Sequence, residues 1–166
     1  MTKVRLLRET MKIAENHINV SKVRLHDEVP DTLPSIYGNK QGLQQVFLNL
    51  ITNAVQAMPN GGDLTVRAAV ETDRIIVEVQ DTGTGISRDH LPHIFDPFFT
   101  TKDVGKGTGL GLSVSYGVIK KHGGRISVDS KVGKGTVFRV ALPVRDTNQQ
   151  IFSEEVSVGG ALANRR

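Results

Sequence analysis

Four segments of alternating hydrophobicity, arranged as two pairs, constrain this chain more than any other feature. "DLTVRAAV" (63–70) and "RIIVEVQ" (74–80) both repeat with period two and are joined by Glu71, Thr72 and Asp73. "RISVDS" (125–130) and "TVFRVALP" (136–143) repeat in the same way around "KVGKG". Such alternation marks a strand with one buried face, and a short polar join makes each pair a hairpin. Helical periodicity precedes each hairpin. "VRLLRETMKIA" (4–14) spaces Leu6, Leu7, Met11 and Ala14 at helical intervals. From Asn39 a longer helix carries Leu43, Val46, Phe47, Leu50, Ile51, Ala54 and Met58 on one arc, until "PNGG" at 59–62 ends it. A third, "TGLGLSVSYGVIKKHGG", closes on Gly123 and Gly124, with Lys120, Lys121 and His122 in its last turn, where positive charge suits the helix dipole. "KVRLHDEV" alternates Val23, Leu25 and Asp27 and predicts one more strand. This order predicts a two-layer α/β sandwich, a mixed sheet with helices on one face.

A length of 166 residues suits one domain, and 38% hydrophobic residues suffice for a real core. Residues 145–166 are small and polar and are expected to form a flexible tail, leaving 1–144 as the domain. The absence of cysteine excludes disulfides, thiolate metal sites and thiol catalysis. No apolar run is long enough for a membrane span or a signal peptide, so a cytoplasmic domain without direct membrane contact is expected. A net charge of +4, spread along the chain, fits an anionic small molecule or an acidic partner better than a nucleic-acid duplex. Few aromatics argue against a base-stacking platform.

The chemistry-bearing residues gather around a long irregular region, 82–107, and the elements that border it. Loops of that length inside a compact domain are usually functional or disordered. On the long helix, Asn49 and Asn53 fall one turn apart at the margin of the apolar arc. The bland reading is two surface asparagines; the functional one is a pair of amide oxygens able to join a Mg²⁺ shell beside substrate phosphates. "VEVQDTGTGI" leaves a strand at Asp81 and enters Gly83 and Gly85. An ionised carboxylate only accepts, and neighbouring glycines let a flat ring approach the backbone, although D-x-G is also a common turn. "HIFDPFFTTK" places Phe95, Phe98 and Phe99 just ahead of a glycine run. They either pin the loop to the core or belong to a mobile cover hinged at Gly105, Gly107 and Gly109, with Lys102 able to swing toward phosphate. Gly107, Gly109 and Gly111 then introduce a helix whose first free amides suit an anion. The letters VGKGT occur twice, at 104–108 and 132–136, and the second copy reads as turn chemistry. The run is neither the dinucleotide G-x-G-x-x-G nor a Walker A loop, and the V-A-I-K and H-R-D partners of a protein-kinase glycine loop are absent.

Taken in order, "NLITNAVQAM", "DTGTGI", "FDPFFTTK", "GTGLGLS" and "GKGTVFRVALP" resemble the N, G1, F and G2 boxes and the closing hairpin of sensor histidine kinases. These kinases belong to the ATP-binding superfamily shared with DNA gyrase, mismatch-repair ATPases and certain chaperones. The Thr-Thr-Lys form of the F box is similar to the subgroup of nitrogen-regulation sensors. The resemblance covers roughly residues 4–143 and implies the Bergerat-type ATP-binding fold with a long lid. It implies ATP and Mg²⁺ as cofactors, with Asn53 holding the metal and Asn49 beside the triphosphate. Asp81 would accept from the adenine amine, helped by the Thr136 hydroxyl directly or through water. Gly83, Gly85 and Ile86 would border the base, while Phe98, Phe99 and Thr101 would lie in the lid. Lys102 would meet phosphate, sharing the catalytic role with Asn49. Gly107, Thr108, Gly109, Leu110, Gly111 and Leu112 would wrap the phosphate end.

Departures from the family pattern matter as much. Hydrolysing members carry a glutamate where this chain has Asn49, and an amide is no useful general base, so phosphoryl transfer is expected over rapid hydrolysis. Gln56 replaces a common lysine or arginine, and Gly38-Asn39 replaces Gly-Asp. None of His17, His26, His90, His93 or His122 sits in an H-E-x-x-N-P-like setting, so structural or solvent roles are expected for all five. The chain therefore reads as a catalytic domain acting on a histidine of a separate dimerisation domain, ahead of a response regulator. As an isolated domain it is expected to be monomeric, within a full-length homodimer. The alternatives are a hydrolysing ATPase, a silent nucleotide- or partner-binding module, and a serine kinase of the anti-sigma-factor type.

Overall fold

The computed structural model describes residues 5–101 and 109–144. Helix α1 (Arg5–Val20) leads into strand β1 (Val23–Glu28), helix α2 (Lys40–Gln56) and the hairpin β2 (Gly62–Glu71) and β3 (Arg74–Asp81). A single 3₁₀ turn (Leu91–His93) interrupts the following loop; helix α3 (Gly111–Lys121) and the hairpin β4 (Arg125–Lys131) and β5 (Gly135–Pro143) complete the domain. The five strands lie in the order β1-β2-β3-β5-β4. Only β1 and β2 run parallel, with α2 in the crossover between them, as a parallel pair requires. The expected mixed α/β sandwich is what forms. One difference is the length of α1, which continues past Ala14 to Val20 because Ile18, one turn on, is 2% exposed. Another is the start of α3, at Gly111 rather than Thr108.

Alternation decides which face of the sheet meets the helices. Leu64, Val66 and Ala68 of β2 pair with Asp81, Val79 and Val77 of β3, and these with Thr136, Phe138 and Val140 of β5. All nine are buried, and the apolar ones share one cluster with the inner faces of α1, α2 and α3. Burying a Leu- or Val-sized side chain contributes about 1.5–3 kcal/mol each, so this face dominates the stability. The opposite face holds an apolar row of Ala69, Ile76 and Ala141 beside a charged one. Glu28, Arg67, Glu78 and Arg139 form one row across four strands, with Arg67 bonded to Glu28 (2.6 Å) and Glu78 (3.1 Å), and Arg139 to Glu78. Exposed ion pairs add little to stability, yet alternating signs in one row penalise a slipped register.

Helix α2 lies between α1 and α3. Asn39 caps the N-terminus by accepting from Gly42 N–H at 3.1 Å, performing the task of the expected aspartate. His122, just past α3, accepts from Asn39 N–H at Nε2 (3.0 Å) and donates from Nδ1 to Val118 O (2.7 Å), which ties the end of α3 to the start of α2. That is the structural role expected of this histidine. Helix α3 itself ends in a Schellman motif, with Gly124 N–H on Ile119 O (2.9 Å) and Gly123 N–H on Lys120 O (3.0 Å).

Candidate nucleotide site

A cavity of about 580 Å³ opens between α2, the end of the sheet, the lid segment and the start of α3. Sheet register builds its floor. Asp81 and Thr136 form it as cross-strand neighbours in the last row of the buried face, and Ser130, outside the lining, is the next neighbour in that row. Asp81 is 5% exposed and accepts from Gly83 N–H at 2.8 Å. Burial pushes its carboxyl above the ordinary range, against the pull of the Gly83 and Thr136 backbone N–H groups. Such a carboxylate is only partly satisfied by the protein, and a donor from a ligand would meet a strong acceptor.

The wall opposite comes from α2. Asn49, Thr52, Asn53 and Gln56 all line the cavity, at positions that share one helix face. Asn49 and Asn53 were expected there; Thr52 and Gln56 follow from the same periodicity and could have been read with them. The two asparagines differ in their surroundings. Asn49 accepts from Gln45 at 2.9 Å and donates to Gly111 O and Ser115 Oγ, both at 3.3 Å, so it fastens α2 to the first turn of α3. The half-buried Asn53 amide has no such bond among the described residues.

The loop after β3 carries the base-flanking residues. Thr84 N–H bonds to Ala57 O (3.0 Å), Gly133 N–H to Thr84 O (2.8 Å) and Ile86 N–H to Ser130 Oγ (2.8 Å). The second VGKGT therefore does more than turn a corner, since its Gly133 amide holds this loop. Gly85 and Ile86 line the cavity, whereas Gly83 sits behind it, tight against Ala57. Gly85 is at φ +73°, and a Cβ there would lie 2.3 Å from Lys131 O. Gly85→Ala is expected to destabilise the domain by about 1–3 kcal/mol and to weaken ligand binding at the same time, which a melting curve and a binding titration would both register.

The three phenylalanines of the lid segment divide between the two readings. Phe95 packs on Tyr116 and Phe138 (ring centroids 5.5 and 6.5 Å) and anchors the segment to the core. Phe99 lines the cavity and lies against the rings of His90 (5.5 Å) and His93 (6.0 Å), so those histidines pack the base of the lid. Phe98 turns outward at φ +66° and is 74% exposed. Its N–H bonds to Gly109 O at 2.9 Å, which brings the two ends of the lid segment together. Thr101, Gly109, Gly111 and Leu112 also line the cavity. Leu110 stands at the N-cap of α3 and offers no side-chain cap to its first amides. Lys102, Gly107 and Thr108, with the first VGKGT, lie outside the described residues. Ala57, Thr84, Ile94, Thr100 and Phe138 complete the lining; all five fall inside the quoted motifs, but nothing in the local pattern singles them out as cavity residues.

Over residues 38–146 the chain matches the family model described as "Histidine kinase-, DNA gyrase B-, and HSP90-like ATPase". Sporulation kinase E of Bacillus subtilis is 39% identical over 151 residues, covering 90% of this chain and 20% of that protein. Sensor histidine kinase ZraS of Escherichia coli K12 is 39% identical over 144 residues, covering 87% of this chain and 30% of that protein. The chain thus spans less than a third of the curated relatives it matches. The solved catalytic domain of histidine kinase ThkA aligns with a TM-score of 0.75 at 30% identity, over 84% of this chain and 92% of that one. Full-length ShkA in complex with AMPPNP aligns with a TM-score of 0.75 at 28% identity, over 84% of this chain and 29% of that one. Among the described residues, no helix is long and apolar enough to cross a membrane. Matched by this model over most of its length, and folded like a solved histidine kinase catalytic domain, the chain belongs to the histidine kinase-, DNA gyrase B- and HSP90-like ATPase family.

Proposed function

We propose that this domain binds Mg²⁺-ATP in the cavity and delivers the γ-phosphate to a histidine on a separate dimerisation domain, which then serves a response regulator. The observation that carries this reading is the polar row at the end of the buried sheet face. Asp81 and Thr136 lie buried on the cavity floor across from Asn49 and Asn53 on α2. An adenine amine donating to Asp81 leaves the phosphates to extend toward α2 and the first turn of α3, whose N-cap residue supplies no side-chain cap and whose helix dipole favours negative charge. The ShkA structure with AMPPNP supports nucleotide as the ligand of this fold.

The donor set fits Mg²⁺ only as an ion carried by the phosphates. Among the described residues no group of three or more His, Cys, Asp or Glu is placed to hold a metal, and Asn53 offers a single amide oxygen. A hard cation that keeps several waters and shares phosphate oxygens suits such a site. When bound, it would neutralise charge on the transferring phosphoryl group. The protein's own contribution is positioning, with Asn49 holding α3 against α2. No carboxylate stands at position 49 to activate water, which favours transfer over hydrolysis. Incubation with labelled ATP and a histidine-bearing helical domain is expected to give an acid-labile, alkali-stable label on that domain. An acid-stable label, or steady phosphate release without transfer, would overturn this assignment.

A further inference from the structure

We propose that Ser130 is a positioning residue for nucleobase selection: it fixes the Thr136 hydroxyl as an acceptor, so that the cavity floor presents two acceptors to an exocyclic amine. The inference rests on the nucleotide reading above and adds the residue that sets its choice of base.

Counting protons gives the assignment. A serine hydroxyl has one proton and two lone pairs. At Ser130 one lone pair is taken by Ile86 N–H at 2.8 Å, and the proton goes to Gly135 O at 3.0 Å. The 2.8 Å contact between Ser130 Oγ and Thr136 Oγ1 is then made with the threonine donating. Thr136, 4% exposed, keeps only lone pairs for the cavity. Reversing that contact would take the Ser130 proton away from the carbonyl of buried Gly135 and leave it without this donor. The geometry comes from register, since Ser130 stands directly across from Thr136, as Thr136 does from Asp81.

The chemical consequence lies at position 6 of a purine. An amine there donates toward Asp81 and Thr136. A carbonyl there sets acceptor against acceptor, and a buried mismatch of that kind is strongly rejected. Removing the Ser130 hydroxyl frees Thr136 to rotate and donate, so the floor would accept a 6-oxo purine more readily.

Calorimetric titration of the wild-type domain, Ser130→Ala, Thr136→Val and the double variant with Mg²⁺-ATP and Mg²⁺-ITP tests this. The wild type is expected to prefer ATP, and Ser130→Ala to narrow that preference by about three- to tenfold, chiefly by tighter ITP binding. In the Thr136→Val background Ser130→Ala should change the ratio no further, because the serine acts through that hydroxyl. An ATP-selective wild type whose ratio survives Ser130→Ala overturns the role of Ser130. So does an equal loss for both nucleotides, or a change that persists without the Thr136 hydroxyl. A wild type that binds neither nucleotide overturns the parent reading and this one with it. Should Ser130→Ala fail to fold, Ser130→Cys keeps the shape with a weaker acceptor and is held to the same expected narrowing.

Discussion

Asp81→Asn is expected to lower ATP affinity by about ten- to one-hundredfold while leaving the melting temperature of the free domain unchanged or higher. The two halves of this result have separate causes. Binding falls because the charged acceptor is lost: a hydrogen bond to a charged group contributes about 1.5–3 kcal/mol, and the amide also turns a donor toward the purine amine. Stability does not fall because burial already penalises the ionised carboxylate, whose pKa is raised. The sign follows from proton counts. Between the unfolded and the raised folded pKa the native state holds more protons, so Asp81's contribution to stability declines as pH rises through that window. Ligand binding runs the opposite way, since the ionised form accepts from the amine. ATP affinity in the wild type should therefore weaken as pH falls, starting above the usual carboxylate range, and in Asp81→Asn that acid limb should vanish. Titrations across pH, with thermal unfolding alongside, check both limbs. An Asp81→Asn domain that binds ATP as tightly as wild type removes the base from this end of the cavity.

Residues whose roles depend on local periodicity could be read from the chain. Asn49 and Asn53 declare a shared helix face by their spacing, and Asp81 declares itself as a carboxylate at the end of an apolar strand. The two hairpins fixed four strands, and the order of elements implied a mixed sheet without saying which pair would run parallel. Relations that arise only on folding were hidden. Ser130 meets Ile86 across 44 residues, and His122 meets Asn39 across 83. Neither pairing leaves a trace in local pattern, because each is created by a register or a helix crossing rather than by neighbouring residues. The lid segment shows a third case. Three phenylalanines close together look alike in sequence, yet Phe95 is locked between aromatic rings, Phe99 faces the cavity and Phe98 faces out. The backbone bond from Phe98 N–H to Gly109 O joins residues eleven apart and is likewise not announced by local pattern.

The second large effect concerns the metal. Asn53→Ala is expected to erase most of the Mg²⁺ dependence of ATP binding, by at least about tenfold, and to slow phosphoryl transfer on the order of 100-fold, since transfer relies on positioning and charge neutralisation. Affinity for ATP in the presence of a chelator should stay near the wild-type value. The contrast with Asn49 sharpens the test. Asn49 spends its amide on Gln45, Gly111 O and Ser115, so Asn49→Ala should loosen the α2–α3 junction and lower the melting temperature while the response to Mg²⁺ persists. Asn53, with no such bonds among the described residues, has little structure to lose. Asn53→Asp supplies the control: it keeps an oxygen in the same place and adds a charge, so Mg²⁺ dependence should survive or strengthen where alanine abolishes it. Magnesium dependence that survives the alanine unchanged would separate this face of α2 from the cation and leave Asn53 only a cavity wall.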